Sequence, residues 1–436
     1  MTGTEEAYLE RPALLEIQRE RLRVLLTEIL PRNRFYAHKF AEARIDSTAI
    51  NCPNDLARLP FTTKEELLAD QQAHPPYGQV LTYPVERYCR MHQTSGTSGQ
   101  PLRWLDTTQS WNWLLGCWET MFQVVGLRAG DRLFFPFSFG PFLGFWTAFD
   151  AASRLGYLCL PGGGMSSTAR LRFLLDNKVT VVFCTPTYAL HLAEVALQQG
   201  IDLAASPVRA LIVAGEPGGS IPTTRTRIEA AWGARVFDHS GLTEVGALSI
   251  ECPENPCGLH ILEGGYLAEV IDAVTGQQVP AGRTGELVLT NLGRWGSPLL
   301  RYRTGDLVRI DPQPCPCGRA FVRLDGGILG RSDDMIHLRG NNVYPTALEA
   351  VIRRFPEVAE YRVEVDQSGP LARLRIELEP VSAVPGNAVA ERVDRAIRDE
   401  LLFRAEVRAV APGSLPRFEM KARRVVIRNS SVVRSP

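Results

Sequence analysis

Residues 179–214 read VTVVFCTPTYALHLAEVALQQGIDLAASPVRALIVA, and their pattern indicates the fold class. Two apolar runs of strand type, at 179–184 and 209–214, flank a segment of helical type. Further runs of strand type at 132–135 and 235–238 continue this alternation. Strands that alternate with helices favour an α/β fold with a substantial parallel sheet.

The pattern changes after the glycines at 326, 327 and 330. The chain of 436 residues is long for one compact core, so a second domain is expected. We therefore predict a large domain over 1–330 and a smaller α+β domain over 331–436, with the boundary near 331–334. The elements predicted for the small domain are a helix at 346–354, strands at 361–365 and 371–379, a helix at 389–402 and a strand at 406–410.

Composition excludes several classes of protein. The 48 basic residues balance the 48 acidic ones, so a nucleic-acid-binding surface is not indicated. The longest apolar stretch, 133–148, is interrupted by proline and glycine and is shorter than the roughly 20 residues that cross a bilayer. The N-terminus lacks the basic region and apolar core of a secretion signal, so a cytoplasmic location is expected.

A loop rich in glycine, serine and threonine follows a predicted strand and reads TSGTSGQP over 94–101. Such small residues let backbone amides and hydroxyls approach phosphate oxygens closely. The spacing is not that of a P-loop, so a different phosphate site is indicated. The same composition is equally typical of a solvated loop. The candidate residues are Thr94, Ser95, Gly96, Thr97, Ser98 and Gly99.

Further motifs follow in a fixed order, and they are AGEP at 214–217, GLTE at 241–244, YRTGDL at 302–307 and GRSDDMI at 330–336. Together with the loop at 94–101, they resemble the ordered core motifs of the adenylate-forming superfamily. The branch of phenylacetate-CoA ligases is similar in additional segments, which are FTTKEEL at 61–67, RGNNVYP at 339–345 and LPRFEMKARRV at 415–425. The resemblance covers essentially the whole chain.

This resemblance implies a large N-terminal adenylate-forming domain with a smaller, mobile α+β C-terminal domain. It implies that ATP and Mg²⁺ activate a small carboxylic acid as acyl-AMP with release of pyrophosphate, and that coenzyme A then accepts the acyl group. Transfer to a carrier-protein phosphopantetheine or to a nitrogen nucleophile is the alternative. A non-catalytic nucleotide-binding protein is a third reading, and a homodimer is compatible with the family.

The resemblance also assigns roles to single residues. Glu244 would hold magnesium, because Mg²⁺ prefers carboxylate oxygens, and Thr243 would contact phosphate. Lys421 would be the mobile catalytic lysine, which opposes negative charge during attack on the α-phosphate. Asp306 would accept hydrogen bonds from the ribose, and Arg331 at the hinge would contact ribose or phosphate. The ordinary readings are a helix cap for Glu244, a turn for Asp306 and a solvated surface lysine for Lys421.

The adenine pocket is expected around two motifs, with Gly215, Glu216 and Pro217 in the first and Asp238, His239 and Ser240 beside the second. Two positions depart from the family pattern. Gln100 stands where many relatives carry a lysine, which removes a charge beside pyrophosphate. Ser240 replaces an aromatic residue that stacks near adenine, so His239 becomes the candidate for packing against the base.

An aromatic run over 134–146 is expected to form one wall of the acid pocket and to face the glycines at 162–164. Aromatic rings and glycines together suit a flat ring, so an aryl or arylacetic acid is the preferred substrate. Ordinary core packing explains the aromatic residues equally well. The candidates are Phe137, Phe139, Gly140, Phe142 and Gly163.

A metal site is predicted from thiol and imidazole side chains, the ligands that zinc prefers. Cys252, His260, Cys315 and Cys317 would form one tetrahedral structural site, with Cys257 as the spare candidate. The two halves lie more than 50 residues apart, so only the fold can join them. The alternative is a set of separate buried thiols.

Overall fold

The computed structural model describes residues 3–46, 50, 52–94, 100–332, 334–338, 341–366, 373–381, 384–419 and 421–428. Within these ranges, no helix combines the length and the apolar character that a bilayer crossing requires. Most of the predicted phosphate loop, Ser95 to Gly99, lies outside the described residues. By the family resemblance, Asp333 or Asp334 would absorb the rotation of the small domain, and Asp333 also lies outside the described residues.

The helices of the described chain are mostly of medium length. They are α1 (Gly3–Ala7), α2 (Arg11–Ile29), α3 (Arg34–Glu42), α4 (Lys64–Ala73), α5 (Thr108–Val125), α6 (Trp146–Arg154), α7 (Ser167–Asp176), α8 (Pro186–Gln198), α9 (Pro222–Trp232), α10 (Pro345–Ile352) and α11 (Gly386–Leu401).

The strands form several sheets. They are β1 (Tyr88–Gln93), β2 (Arg103–Thr107), β3 (Arg132–Phe135), β4 (Leu158–Pro161), β5 (Val181–Cys184), β6 (Ala210–Val213), β7 (Arg235–Leu242), β8 (Gly246–Glu251), β9 (Gly258–Ile261), β10 (Tyr266–Ile271), β11 (Thr284–Asn291), β12 (Tyr302–Arg309), β13 (Arg323–Asp325), β14 (Gly330–Arg331), β15 (Ile336–Leu338), β16 (Asn341–Val343), β17 (Val358–Asp366), β18 (Arg373–Pro380), β19 (Glu406–Ala409) and β20 (Val425–Arg428).

The central sheet has eight strands in the order β13-β9-β8-β7-β6-β5-β3-β4. The strands from β4 to β7 are parallel, whereas β8, β9 and β13 are antiparallel. All residues of β5 and β6 are buried, as expected for parallel strands covered by helices on both faces. The predicted α/β class with substantial parallel sheet is therefore confirmed.

The predicted strand at 235–238 proved too short. β7 continues to Leu242 because its first half pairs with β6 in parallel, and its second half pairs with β8 in antiparallel orientation. This extension carries the chain from the parallel half of the sheet directly into the 241–244 motif.

The C-terminal residues form a separate four-stranded sheet in the order β19-β18-β17-β20, with its own apolar core under α10 and α11. The predicted α+β module is confirmed in its order of elements. The predicted helix at 389–402 starts earlier, at Gly386, and ends at Leu401 because Leu402 adopts a left-handed conformation with φ of 57°. Arg331 still belongs to a strand that pairs with β12 of the large domain.

Candidate active site

The carboxyl ends of the parallel strands β5, β6 and β7 meet at one edge of the central sheet. Open α/β sheets bind ligands at this edge. Gly215 follows β6 there with φ of 93°, a conformation that side chains other than glycine rarely adopt. The 214–217 and 241–244 motifs are thus placed side by side by the topology.

The phosphate loop is closed at its base by a short antiparallel hairpin. The backbone NH of Thr94 donates to Leu102 O over 2.9 Å, and the Thr94 hydroxyl accepts from Leu102 N over 3.0 Å. Gln100 turns toward α4, where its side-chain oxygen accepts from Gln72 over 3.0 Å. The Gln100 side chain thus makes an exposed hydrogen bond to α4.

Glu244 is buried, and its orientation is fixed from two directions. The Tyr302 hydroxyl donates to Glu244 Oε1 over 2.7 Å. Arg294 Nη1 donates to the carbonyl oxygens of Thr243 and Glu244 over 2.8 and 2.9 Å. Glu244 Oε2 has no hydrogen-bond donor among the described residues, so this oxygen can bind a cation.

Arg294 itself is held by Asp106 in a bidentate ion pair of 2.7 and 2.6 Å. Both side chains are 0% exposed. A buried pair of this kind costs desolvation and persists where all its hydrogen bonds are formed. The sequence analysis missed both residues because they lie 188 positions apart and neither belongs to a recognised motif. Their role is to position the backbone of the 243–244 turn.

Asp306 and Arg331 face each other as partners in the β12–β14 register. Arg331 Nη1 donates to Asp306 Oδ1 over 2.9 Å. Gly305 precedes them with φ of 76°, and a Cβ at this position would lie 3.0 Å from the Arg331 guanidinium. The predicted ribose carboxylate and the predicted hinge arginine are therefore brought together.

Asp238 and His239 are consecutive buried residues of β7, and burial shifts their pKa values in opposite directions. Burial raises the pKa of Asp238 to about 7, although its Oδ2 accepts a hydrogen bond from the Ser220 hydroxyl. Burial lowers the pKa of His239 to about 4, so its ring is neutral at pH 7. His239 Nδ1–H donates to Ser249 O over 2.7 Å, and its ring packs 4.6 Å from Trp118. Ser240 Oγ lies 2.6 Å from Ser249 Oγ.

Glu216 joins the large domain to the loop that contains Lys421. Its Oε1 accepts from Thr187 N over 2.8 Å, and its Oε2 accepts from Ala422 N over 2.6 Å. Burial raises the pKa of Glu216, whereas the nearby Arg424 cation opposes this shift. The exposed Lys421 is therefore held beside the 214–217 motif, although 206 positions separate Glu216 from Ala422.

The rings of the aromatic run pack against one another. The ring of buried Phe137 lies 4.5 Å from Phe139 and 6.1 Å from Phe142. A Cβ on Gly163 would lie 3.4 Å from Phe137 O, so the glycine turn passes close to this wall. A Cβ on Gly140 would lie 2.9 Å from the Phe142 ring, which requires glycine there. Phe139 and Phe142 are half-buried and pack against the hydrophobic core, whereas Phe137 belongs to that core.

The predicted metal ligands come together in the fold. The Sγ atoms of Cys252 and Cys315 are 3.5 Å apart, and Cys317 Sγ is 3.3 Å from His260 Nε2. All the candidate ligand atoms of these residues lie within 4.8 Å of one another. His260 Nδ1–H donates to Phe321 O over 2.9 Å, which leaves Nε2 as the metal-facing nitrogen. Three sulfur atoms and one imidazole fit the chemistry of zinc.

Cys257, the spare candidate, is not part of this cluster. It lies in the turn between β8 and β9 with φ of 58° and is half-buried. Cys117 and Cys184 are buried thiols, in agreement with their apolar surroundings in the sequence.

Comparison with family models decides the family. The model described as AMP-binding enzyme matches residues 17–293, more than half of the chain, and the model described as AMP-binding enzyme C-terminal domain matches residues 340–428. The chain belongs to the AMP-binding enzyme family. The resemblance seen in the motifs is thereby confirmed.

This AMP-binding enzyme has relatives along its full length. It is 34% identical to phenylacetate-coenzyme A ligase of Thermus thermophilus, over 98% of this chain and 99% of that protein. It is 32% identical to phenylacetate-coenzyme A ligase of Pseudomonas putida, over 94% of this chain and 93% of that protein. These relatives confirm the phenylacetate-CoA ligase-like branch.

The AMP-binding enzyme also resembles solved structures in the arrangement of its two domains. A crystal structure of 2-hydroxyisobutyryl-CoA ligase in the postadenylation state with R3-HIB-AMP gives a TM-score of 0.91 at 28% identity, covering 97% of this chain and 91% of that one. The same enzyme with 2-HIB-AMP and CoA in the thioesterification state gives 0.74 at 29% identity, covering 98% and 92%. The domain arrangement here therefore resembles the postadenylation state more closely.

Proposed function

We propose that this protein activates a small aromatic carboxylic acid with ATP and then transfers the acyl group to the thiol of coenzyme A. The family and the full-length relatives make the chain an AMP-forming acid–CoA ligase. The observation that carries the proposal is the 2.6 Å hydrogen bond from Ala422 N to Glu216, which holds the Lys421 loop beside the nucleotide motif.

In the first half-reaction, a carboxylate oxygen of the acid attacks the α-phosphorus of ATP. The bond from this phosphorus to the β-phosphate oxygen breaks, and pyrophosphate leaves. Lys421 would stabilise the negative charge that accumulates during attack, and Asp306 would orient the ribose. Glu244, with Tyr302 fixing one oxygen, would hold Mg²⁺, which neutralises charge on phosphate oxygens when it is bound.

In the second half-reaction, the sulfur of coenzyme A attacks the acyl carbonyl carbon. The bond from this carbon to the AMP oxygen breaks, AMP leaves, and the thiol proton passes to solvent. The relatives named above are CoA ligases, which favours coenzyme A over a carrier protein or a nitrogen nucleophile. These alternatives become outcomes of the test below.

An aromatic acid is favoured by the wall around Phe137, Phe139 and Phe142, whose rings contact one another at the glycine turn. Phenylacetate is the acid in the names of two full-length relatives, whereas the structural neighbour is named for a small aliphatic hydroxy acid. Flat rings pack well between aromatic edges and glycine backbone. We therefore propose that the pocket binds an aryl or arylacetic acid.

The test is ATP- and magnesium-dependent release of pyrophosphate with a panel of phenylacetate, benzoate and 2-hydroxyisobutyrate, with and without coenzyme A. We expect release with an aromatic acid and an aryl-CoA product identified by mass spectrometry. Preference for the aliphatic acid would contradict the aromatic pocket. Acyl-AMP that accumulates in the presence of coenzyme A would contradict the assignment of coenzyme A as the acyl acceptor.

We also propose that Cys252, His260, Cys315 and Cys317 hold a structural Zn²⁺. The cluster supports this because its ligand atoms already lie within 4.8 Å and Phe321 O fixes the tautomer of His260. The cytoplasmic location, the homodimer and the domain boundary at 330/331 stay predictions.

A further inference from the structure

A buried arginine lies between the glycine turn of the acid pocket and the loop that carries Lys421. Arg170 on α7 is 1% exposed. Its Nε donates to Gly162 O over 2.8 Å, and its Nη1 donates to the Tyr188 hydroxyl over 2.6 Å. The same Nη1 is 3.1 Å from Glu419 Oε2 of the C-terminal domain.

The charge of Arg170 is balanced across the domain interface. Among the described residues, its ion pair is with Glu419, whose side chain is 52% exposed. A buried cation without a carboxylate partner is unfavourable, because burial removes its hydration. Docking of the C-terminal domain therefore brings a carboxylate to Arg170, which has no carboxylate partner among the described residues of the large domain.

Each end of this connection belongs to a different part of the proposed reaction. Gly162 opens the glycine turn, and a Cβ at this position would lie 3.0 Å from Pro136 Cα in the aromatic run. Glu419 precedes Lys421 by two positions, and Ala422 N bonds to Glu216. A shift of the glycine turn on acid binding would move Gly162 O, and Arg170 would transmit this shift to the Lys421 loop.

We propose that Arg170 is a positioning residue that couples the acid pocket to the docking of the Lys421 loop through Gly162 O and Glu419. This inference rests on the proposed function. The ion pair favours the adenylation arrangement, in agreement with the higher TM-score to the postadenylation state than to the thioesterification state. It acts on the first half-reaction and not on thiol transfer.

The test compares Glu419→Gln with a matched control at a second interdomain ion pair. Glu194 of α8 binds Arg417 over 3.0 Å, and Arg417 keeps Glu379 as a partner when Glu194 is neutralised. Both substitutions remove one carboxylate charge at the interface and keep the side-chain shape. Only the first removes the carboxylate that faces Arg170 and the glycine turn.

We expect Glu419→Gln to lower kcat for acid-dependent pyrophosphate release about fivefold, because a partly exposed charged hydrogen bond is lost. Transfer from supplied acyl-AMP to coenzyme A should stay unchanged in this variant. Glu194→Gln should leave the ratio of the two half-reaction rates at the wild-type value. If both variants slow both half-reactions equally, the Arg170–Glu419 pair only stabilises the contact between the domains. That result would overturn the proposed coupling.

A second variant separates positioning from acid binding. Arg170→Lys keeps the cation but cannot reach Gly162 O and Glu419 together with a planar fork. The coupling predicts that Arg170→Lys and Glu419→Gln combined slow adenylation no more than the slower single variant. Additive losses would contradict it. Wild-type protein that releases no pyrophosphate with any acid would instead refute the proposed function, so the two failures are distinguishable.

Discussion

Glu244 is held in place by contacts from distant parts of the chain. Tyr302 binds its carboxylate, and Arg294 binds the backbone on both sides of it. Arg294 in turn depends on Asp106, which lies at the end of the β1–β2 hairpin that closes the phosphate loop. The proposed magnesium ligand Glu244 and the hairpin at the base of the proposed phosphate loop are therefore connected through one buried ion pair.

Tyr302→Phe tests this placement. Loss of a hydrogen bond to a charged group should raise the magnesium concentration needed for half-maximal pyrophosphate release about three- to tenfold. The matched control is Tyr266→Phe, which removes a buried hydroxyl that binds Val245 O at the same turn without touching Glu244. Titrating magnesium at saturating acid gives the comparison. An unchanged magnesium requirement in Tyr302→Phe would remove the assigned role of this hydroxyl.

At the scale of the elements, the sequence predicted the site wherever local pattern and topology act together. The strand-type runs at 179–184 and 209–214 match β5 and β6, and the structure adds that the 214–217 motif follows β6 at the carboxyl edge of the parallel sheet. The length of β7 was underestimated because pairing with β8 is a non-local property. Asp106 and Arg294 carry no local signal, so no pattern in the sequence could indicate their contact.

The turn that contains Cys315 and Cys317 contacts Cys252, which directly follows β8, and His260 of β9. Purified protein should contain about one zinc ion per chain by mass spectrometry of metals, and Cys252→Ser should lose it. We expect the same variant to lower Tm by several degrees, since a structural zinc contributes folding energy. Cys257→Ser is the control and should keep the metal. Wild-type protein that contains no zinc would contradict the metal site and favour the alternative of separate buried thiols.

At the scale of the whole molecule, the two domains meet through a few charged contacts that can be broken and remade. Glu194 and Arg417 are 223 positions apart, and Arg170 and Glu419 are 249 positions apart. Sequence motifs predicted a mobile C-terminal domain, but they could not predict which ion pairs hold it. Interfaces of this polar kind suit a domain that changes position between two half-reactions.

The arrangement of the two domains determines where Lys421 lies. Its loop contacts Glu216 through Ala422 N and Arg170 through Glu419, in an arrangement that resembles the postadenylation state. In the proposed mechanism, a cation placed here serves adenylation, and thiol transfer proceeds in a different arrangement of the domains. The two half-reactions should therefore depend on Lys421 to different degrees.

The decisive measurement is the rate of each half-reaction in Lys421→Ala, with Arg423→Ala as the control at a neighbouring exposed cation. We predict that adenylate formation in a single turnover slows about a hundredfold or more, as when a transition-state charge loses its partner. Transfer from supplied acyl-AMP to coenzyme A should stay within about twofold of wild type, since Lys421 takes no part in it. Equal slowing of both half-reactions, or an unchanged rate of adenylation, would contradict the account.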